Sequence, residues 1–297
     1  MSDSFAARPR RSVLYMPGSN ARALEKGKAI SADALILDLE DAVAPDAKET
    51  ARNQIVEAVK GGGYGKRELS IRVNPMDSDW GADDVKAAAT SGADAILLPK
   101  VESARMVHDL ETRMKQHGAP DDMAIWVMIE TPKGVLHAEE IAAASDRLAV
   151  FVMGTSDLVK DLQAHHTAER LPVLTSLSWC ILAARAYGRA IVDGVHLDLQ
   201  DDAGFEASCR QGLELGMDGK TLIHPKTVEP ANRVFAPDEA EVEQSKRIIE
   251  AHGEAAKQGQ GVVVLDGKLI ENLHVENAKR LVALSQAIAE REAEQAS

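Results

Sequence analysis

Residues 34–39 read ALILDL and residues 95–100 read AILLPK, and both stretches are apolar at consecutive rather than alternate positions. This pattern is typical of parallel strands that are covered on both faces. Similar short runs recur along the chain, each followed by a longer stretch rich in Ala, Glu, Lys and Arg, which indicates a strand followed by a helix. The eight predicted strands are residues 13–16, 34–39, 69–73, 95–98, 125–129, 148–153, 191–195 and 221–223.

Eight strand–helix repeats predict an α/β fold, a (β/α)₈ barrel of the TIM type. The alternative is an open doubly wound sheet, whose first strand should lead into a G-x-G-x-x-G loop, and PGSNAR at residues 17–22 lacks that spacing. Such barrels need about 250 residues. In this chain of 297 residues we expect the barrel to occupy residues 1–236 and to carry the functional site, and we expect a C-terminal extension at 237–297.

The formal net charge of −13 opposes binding to nucleic acids and to anionic membrane surfaces. No apolar segment near the N-terminus is long enough for a signal core or a membrane span, so we expect a cytoplasmic protein. The two cysteines, Cys180 and Cys209, fit neither a disulfide framework nor a metal cluster.

Two carboxylates follow adjacent predicted strands, Glu130 in MIETPKG and Asp157 in GTSDL. Barrel active sites lie at the C-terminal ends of the strands. Like charges held close together repel unless a cation neutralises them, and oxygen donors without a His or Cys set favour Mg²⁺. We therefore predict Glu130 and Asp157 as metal ligands. The alternative is that each carboxylate caps the helix that follows it.

Arg72 in IRVNP lies at the C-terminal end of the third predicted strand and should reach the same end of the barrel. A fixed guanidinium can hold a carboxylate or stabilise a developing enolate oxygen, so we predict a catalytic role. The alternative is a salt bridge with Glu40 or Asp41. Both can hold together, since an acidic pair would orient the guanidinium while it still faces the substrate.

The segment MPGSNAR places Gly18 and Ser19 just before a predicted helix, where backbone N–H groups can bind an anion. A tight strand-to-helix turn would look the same. Lys100 in LLPKVE could contact the phosphates of a cofactor tail or simply pair with Glu102. We take Gly18, Ser19 and Lys100 as candidate cofactor-binding residues.

The segment GVVVLDGKLIENLHV at residues 261–275 predicts a β-ribbon, followed by an amphipathic helix, outside a barrel that already has its strands. Such a ribbon needs something to cover it, for which a lid over the site or a neighbouring subunit are the simplest answers. Glu271 follows the Asp266-Gly267 turn, and it is a candidate to reach a site in the same subunit or in a neighbour.

Together the stretches RSVLYMPGSN, DLEDAVAPDAK, IRVN, LLPK, MIET, GTSDL, GKTLIHP and GKLIENLHV resemble the citrate lyase β-subunit-like enzymes. This resemblance implies a Mg²⁺-dependent barrel that acts on malyl-CoA-type thioesters, in a homo-oligomer (trimer or hexamer) with a C-terminal lid. It places the metal carboxylates on Glu130 and Asp157 and the substrate arginine on Arg72. Where the lyases commonly carry an aspartate on the tail, this chain has Glu271, and IENLHV is similar to the (3S)-malyl-CoA thioesterase branch.

The resemblance leaves two reactions nearly balanced. A lyase would cleave malyl-CoA to acetyl-CoA and glyoxylate, with Arg72 on the enolate oxygen and Glu271 as the acid. A thioesterase would release malate and CoA. A subunit that binds a CoA ester without turning it over is the third alternative, against which the intact pair of carboxylates argues.

Overall fold

The computed structural model describes residues 8–257, 259 and 261–295. Eight parallel strands close into one barrel in chain order, with β8 pairing back to β1. The barrel strands are β1 (Ser12–Pro17), β2 (Ala34–Asp38), β3 (Glu68–Arg72), β4 (Ala95–Leu98), β5 (Ala124–Ile129), β6 (Leu148–Met153), β7 (Ala190–Asp193) and β8 (Gly219–Leu222). The (β/α)₈ fold predicted from the sequence is therefore confirmed.

Helices follow the strands and cover the barrel. They are α1 (Ala21–Gly27), α2 (Lys48–Gly61), α3 (Gly81–Ala89), α4 (Ala104–Gln116), α5 (Pro132–Leu136), α6 (Ala138–Ala142), α7 (Thr155–Asp161), α8 (Leu171–Ala186), α9 (Asp202–Leu215) and α10 (Val228–Phe235). Every residue of β2, β5 and β6 is buried, as consecutive apolar runs require when both faces of a strand are covered.

The two last barrel strands differ from their predicted bounds for physical reasons. Strand β8 begins at Gly219, where a side chain would collide with the Arg10 carbonyl oxygen. It also includes the buried Lys220, whose ammonium pairs with Asp193 at 2.9 Å. Because Lys220 is charged, a search for consecutive apolar residues does not recognise this part of the strand. Strand β7 ends at Asp193, and a Cβ at the next residue, Gly194, would lie 2.3 Å from the hydroxyl oxygen of Thr155.

The chain divides into two compact units, one of which holds Arg10–Phe235. The second holds Ala236 onward, together with Arg8 and Pro9 among the described residues. It contains α11 (Glu239–Lys257), an antiparallel hairpin of β9 (Val263–Leu265) and β10 (Lys268–Ile270), and α12 (Asn272–Gln295). The functional division predicted at residues 236 and 237 stays a prediction.

The hairpin of the second unit turns at Asp266 and Gly267, which both have positive φ, as a two-residue turn of this type requires. Arg247 of α11 donates to the Asp266 carboxylate at 2.8 Å and so ties the turn to the helix. Val264 and Leu269 are partners across the hairpin, and their side chains are exposed. In the part of the chain that the structure describes, no helix is both long and apolar enough to cross a membrane.

Candidate active site at the C-terminal mouth of the barrel

The charged residues Asp38, Arg72, Lys100, Glu130 and Asp157 stand at or just after the C-terminal ends of β2 to β6. We call this end of the barrel the mouth. In (β/α)₈ enzymes the loops at this end build the active site, because the strands all point their carboxyl ends toward it. Most of the residues that the sequence predicted for the site are therefore carried by neighbouring strands of one unit.

Arg72 is held in place chiefly by Asp38, a residue that the sequence analysis missed. The two residues are register partners on β2 and β3, and both are buried. Nε and Nη2 of Arg72 donate to the two Asp38 carboxylate oxygens, each at 2.7 Å. Such a two-point contact fixes the plane of the guanidinium as well as its position.

The acidic pair predicted beside Arg72 makes a weaker and unequal contribution. Nη1 of Arg72 lies 2.8 Å from a Glu40 carboxylate oxygen and 3.5 Å from that of Asp41. Glu40 is buried, and burial raises its pKa, whereas the Asp41 side chain is largely exposed. The arginine is thus oriented by carboxylates as predicted, but Asp38 rather than Asp41 is the main partner.

Lys100 connects two of these carboxylates. Its side-chain Nζ donates to Glu40 at 2.8 Å, and its backbone N–H donates to Glu130 Oε1 at 2.9 Å. The residue has a positive φ of 52°, uncommon outside glycine, and this conformation accompanies the contact of its amide with Glu130. The predicted alternative pairing with Glu102 is wrong, since Glu102 pairs with Lys133 instead.

A second missed residue, Lys48, orders the loop that carries Glu40. It opens α2 and is buried, and its Nζ donates to the backbone oxygens of Leu39 and Glu40 at 2.8 and 2.7 Å. It also donates to Asn74 Oδ1 at 2.8 Å, beyond the end of β3. Lys48 therefore joins the loops that follow β2 and β3.

Glu130 is almost fully buried, with 3% of its surface exposed. The space for its side chain exists because residue 154 is a glycine: a Cβ there would lie 2.3 Å from the Cβ of Glu130 and 2.6 Å from its Oε2. Burial, helped by the charge of Glu40 and to a smaller extent by Asp157, raises the pKa of Glu130 to about 8. The mouth thus disfavours an ionised Glu130 unless a positive charge is added.

Asp157 lies in the first turn of α7, and its side chain is 32% exposed. The helix begins after Gly154 without a side-chain cap, so the predicted alternative of a capping carboxylate is not what this helix shows. Its one described ionic partner is Lys160, at 3.6 Å. The negative charge of Asp157 therefore remains available to a ligand at the mouth.

The donor set fits a magnesium ion. Two carboxylates of neighbouring strands converge, and one is buried with a raised pKa, so a divalent cation would relieve their electrostatic cost. Within the described ranges there is no group of three or more His, Cys, Asp or Glu side chains arranged to hold a metal. Mg²⁺ commonly takes one or two protein carboxylates and keeps water or substrate oxygens as its other ligands, and Glu130 with Asp157 offers that number of carboxylates.

Tyr15 of β1 completes the surroundings of Arg72. The guanidinium carbon lies 4.9 Å from the centre of the tyrosine ring, a cation–π contact. Burial raises the pKa of Tyr15 far above its usual value; Arg72 opposes this, and the carboxylates of Asp38, Glu130 and Glu40 add to it. The phenol is therefore neutral and keeps its proton.

The turn after β1 does not offer the anion site that the sequence predicted at Gly18. The Gly18 N–H donates to the Asp38 backbone oxygen at 2.9 Å, and a side chain at position 18 would strike Ile55 at 2.6 Å. Gly18 is thus required by close packing, and its amide is not free for a ligand. Ser19 is exposed beside it, and its contact with a cofactor stays a prediction.

The remaining candidate, Glu271, belongs to the second unit, where it stands between β10 and α12 with an exposed side chain. Its backbone N–H donates to His274 Nδ1 at 3.0 Å, which secures the start of α12. The carboxylate is left to solvent or to a partner.

Comparisons with known proteins agree with the barrel fold. A family model described as HpcH/HpaI aldolase/citrate lyase matches residues 11–225. The chain is 49% identical over 283 residues to the (3S)-malyl-CoA thioesterase of Cereibacter sphaeroides (strain ATCC 17025), covering 95% of this chain and 97% of the relative. It is 36% identical over 281 residues to the citrate lyase subunit beta of Escherichia coli (strain K12), covering 93% of each.

Among solved structures, the chain resembles the protein CitE of Mycobacterium tuberculosis in complex with magnesium, acetoacetate and coenzyme A. The TM-score is 0.73 at 26% identity, and the match covers 95% of this chain and 99% of CitE. RipC from Yersinia pestis gives a TM-score of 0.68 at 28% identity, covering 80% of this chain and 99% of RipC.

Proposed function

From the premise that the chain belongs to the HpcH/HpaI aldolase/citrate lyase family, we propose that it is a Mg²⁺-dependent enzyme that hydrolyses malyl-CoA-type thioesters. The relatives in this family are CoA-ester lyases and thioesterases, so membership carries the enzyme class. The thioesterase reaction is preferred because the relatives of that name share 49% of residues over nearly the whole chain, against 36% for the citrate lyase subunit.

The observation that carries the proposal is the environment of Glu130. A buried carboxylate beside other carboxylates is costly for the fold, and Gly154 is the residue that leaves room for it. Bound by Glu130 and Asp157, Mg²⁺ would polarise the oxygens of the substrate. The solved complex of CitE contains magnesium, which supports the choice of the ion.

The protein's own residues then position the substrate. Arg72, whose plane is fixed by Asp38, presents a positive edge to a carboxylate or to the thioester oxygen. The salt bridge between Lys100 and Glu40 connects the loops that follow β4 and β2. In hydrolysis, water adds to the thioester carbonyl, the C–S bond breaks, and a proton goes to the departing CoA sulfur.

C–C bond cleavage to acetyl-CoA and glyoxylate is the second candidate. The sequence resemblance to the citrate lyase subunit favours it, and the fixed Arg72 would suit the enolate that such a cleavage produces. The glutamate at position 271, in place of the aspartate that lyases commonly carry, argues for hydrolysis instead, because about 1 Å of displacement can cost a hundredfold in rate.

Product analysis with malyl-CoA and Mg²⁺ distinguishes the candidates. Malate and free CoA support the thioesterase, and glyoxylate with acetyl-CoA supports the lyase. Saturable binding of malyl-CoA with neither set of products identifies a CoA-ester-binding subunit without turnover and contradicts the proposal.

We further propose that the enzyme is a homo-oligomer, a trimer or hexamer, in which the tail serves a neighbour's site. Val264 and Leu269 present an apolar cross-strand pair to solvent on a small hairpin, beside the exposed Glu271. A two-stranded hairpin is marginally stable without further packing, so a second surface that covers this pair would stabilise it.

A further inference from the structure

Among the residues described at the mouth, the carboxylates of Asp38, Glu40, Asp41, Glu130 and Asp157 outnumber the cations Arg72, Lys100 and Lys48, and the guanidinium of Arg72 faces two of these carboxylates closely. Nε and Nη2 of Arg72 donate hydrogen bonds to Asp38, and Nη1 forms an ion pair with Glu40. An arginine has five N–H donors, and Asp38 accepts from two of them. Much of the positive charge of Arg72 is thus neutralised by the protein before any substrate arrives.

An oxygen that becomes negative during the reaction would therefore meet few free donors from Arg72. In thioester hydrolysis the negative charge develops on the carbonyl oxygen when water adds, and in C–C cleavage it develops on the same oxygen as the enolate forms. Enzymes commonly stabilise such an oxygen with hydrogen-bond donors that are already in place. A neutral donor suits this mouth because it adds no charge that Asp38 or Glu40 could capture.

Tyr15 has the required position, and its hydroxyl has no hydrogen-bond partner in the part of the chain that the structure describes. Its ring lies against Arg72, so its hydroxyl belongs to the mouth rather than to the outer helices. Tyr64 donates its hydroxyl to the Leu24 backbone oxygen, and that of Tyr187 lies 3.4 Å from Glu139. Tyr15 has no such partner among the described residues. Its hydroxyl oxygen is also not one of the fully buried polar atoms that lack a hydrogen bond.

We propose that Tyr15 contacts the substrate and donates a hydrogen bond from its hydroxyl to the thioester carbonyl oxygen. Its ring would at the same time support one face of Arg72, so that the tyrosine on β1 and the arginine on β3, two strands separated by β2, approach the same substrate. The role rests on the proposed function, because it requires a CoA thioester as ligand. No proton leaves the phenol in this role.

The test compares Tyr15→Phe, which keeps the ring against Arg72, with Tyr64→Phe, which removes a buried tyrosine hydroxyl that donates to Leu24 instead. Binding of acetyl-CoA and of S-ethyl-CoA, which lacks the carbonyl oxygen, is measured by calorimetry in the presence of Mg²⁺. We expect the wild type and Tyr64→Phe to bind acetyl-CoA about tenfold more tightly, as one good hydrogen bond allows. Tyr15→Phe should bind both ligands equally.

Turnover gives an independent measurement. With malyl-CoA, Tyr15→Phe should lower kcat by about 100-fold, the order seen when one oxyanion donor is removed, while Tyr64→Phe stays near the wild type. A preference for acetyl-CoA that survives in Tyr15→Phe overturns the proposal, as does a wild type that binds both ligands equally or binds neither. A wild type that shows the preference but releases no product from malyl-CoA contradicts the proposed function and leaves the Tyr15 contact supported.

Discussion

At the scale of single residues, the proton on Glu130 couples magnesium binding to pH. The pKa of this carboxyl is about 8 in the folded protein against an ordinary 4.5. Between these values the folded state holds a proton that the unfolded chain has lost, so the free energy of unfolding of the metal-free protein falls as pH rises through this window. A bound cation favours the ionised form and removes that penalty.

We therefore expect Mg²⁺ to stabilise the protein more at pH 8.5 than at pH 6. The measurement is Tm with and without saturating MgCl₂ at each pH. In Glu130→Gln the side chain cannot ionise, and the pH dependence of the magnesium-induced shift should disappear. A wild-type shift of equal size at both pH values would contradict a role for Glu130 in binding the ion.

Removing either predicted metal ligand should stop turnover without unfolding the barrel. Glu130→Gln and Asp157→Asn take away charge but little volume, so circular dichroism should be unchanged while Mg²⁺-dependent kcat falls by about three orders of magnitude. The control is Asp161→Asn, one turn further along α7, which removes a carboxylate that also lies 3.6 Å from Lys160. Normal activity in Asp157→Asn would show that Asp157 is not a ligand of the metal.

Arg72→Lys should also be severely impaired, by about 100-fold or more in kcat/KM, because an ammonium cannot bridge both oxygens of Asp38 and reach Glu40 in one plane. Arg147→Lys is the matched control. That arginine pairs with Asp121 at 2.9 Å before the start of β6, at the opposite end of the barrel. Equal losses in the two variants would indicate general destabilisation rather than a role in the site.

Residue by residue, the sequence predicts best those groups that stand outside apolar runs. Glu130 and Asp157 follow a strand and Arg72 is the last residue of one, and a charge is easily noticed at these positions. Asp38 lies inside the run ALILDL, and only its register opposite Arg72 explains why a carboxylate is buried there. The closeness of Gly154 to Glu130 depends on the pairing of two strands, which a linear pattern does not contain.

At the scale of elements, the connection between β2 and α2 depends on one buried ammonium. Lys48 bonds two backbone oxygens and Asn74, and it lies 5.3 Å from the centre of the Trp80 ring. Lys48→Met fits a similar volume but leaves these acceptors without their donor. We expect a loss of about 3 kcal/mol in the free energy of unfolding, measured by urea denaturation.

The control for Lys48→Met is Lys60→Met, an exposed position near the other end of α2, which should change stability by less than about 0.5 kcal/mol. Similar losses in both variants would mean that helix propensity or surface charge, rather than the buried contacts, decides the result. The two variants on α2 thus test how the loop that carries Glu40 is stabilised, by a measurement that does not depend on catalysis.

The strands themselves were predictable because parallel barrel strands are apolar on both faces, and all eight lie where the sequence placed them. The errors occur at ends where a polar or glycine residue has a partner from another strand, as Lys220 has in Asp193. The hairpin in the second unit was predictable for a different reason, since its Asp-Gly turn selects a two-residue connection.

At the scale of the whole molecule, the question is where the tail acts. The two compact units each have their own packing, and Glu271 belongs to the second one while Glu130 belongs to the first. If the oligomer places the tail of one subunit at the mouth of the next, each active site takes Glu130 from one chain and Glu271 from another. Two variants that are each inactive would then complement one another.

Mixing Glu271→Ala with Glu130→Gln in equal amounts under subunit exchange should restore about a quarter of wild-type activity, because half of the barrels and half of the tails are intact and they combine at random. The control mixes each variant with the double variant Glu130→Gln/Glu271→Ala, which offers no complementary pair and should recover nothing. A fully active monomer in sedimentation, or proven exchange without recovery, would show that the tail does not act in a neighbour.

The variant Glu271→Asp tests which reaction position 271 favours. If its shorter carboxylate raises glyoxylate release relative to thioester hydrolysis, position 271 selects between the two reactions.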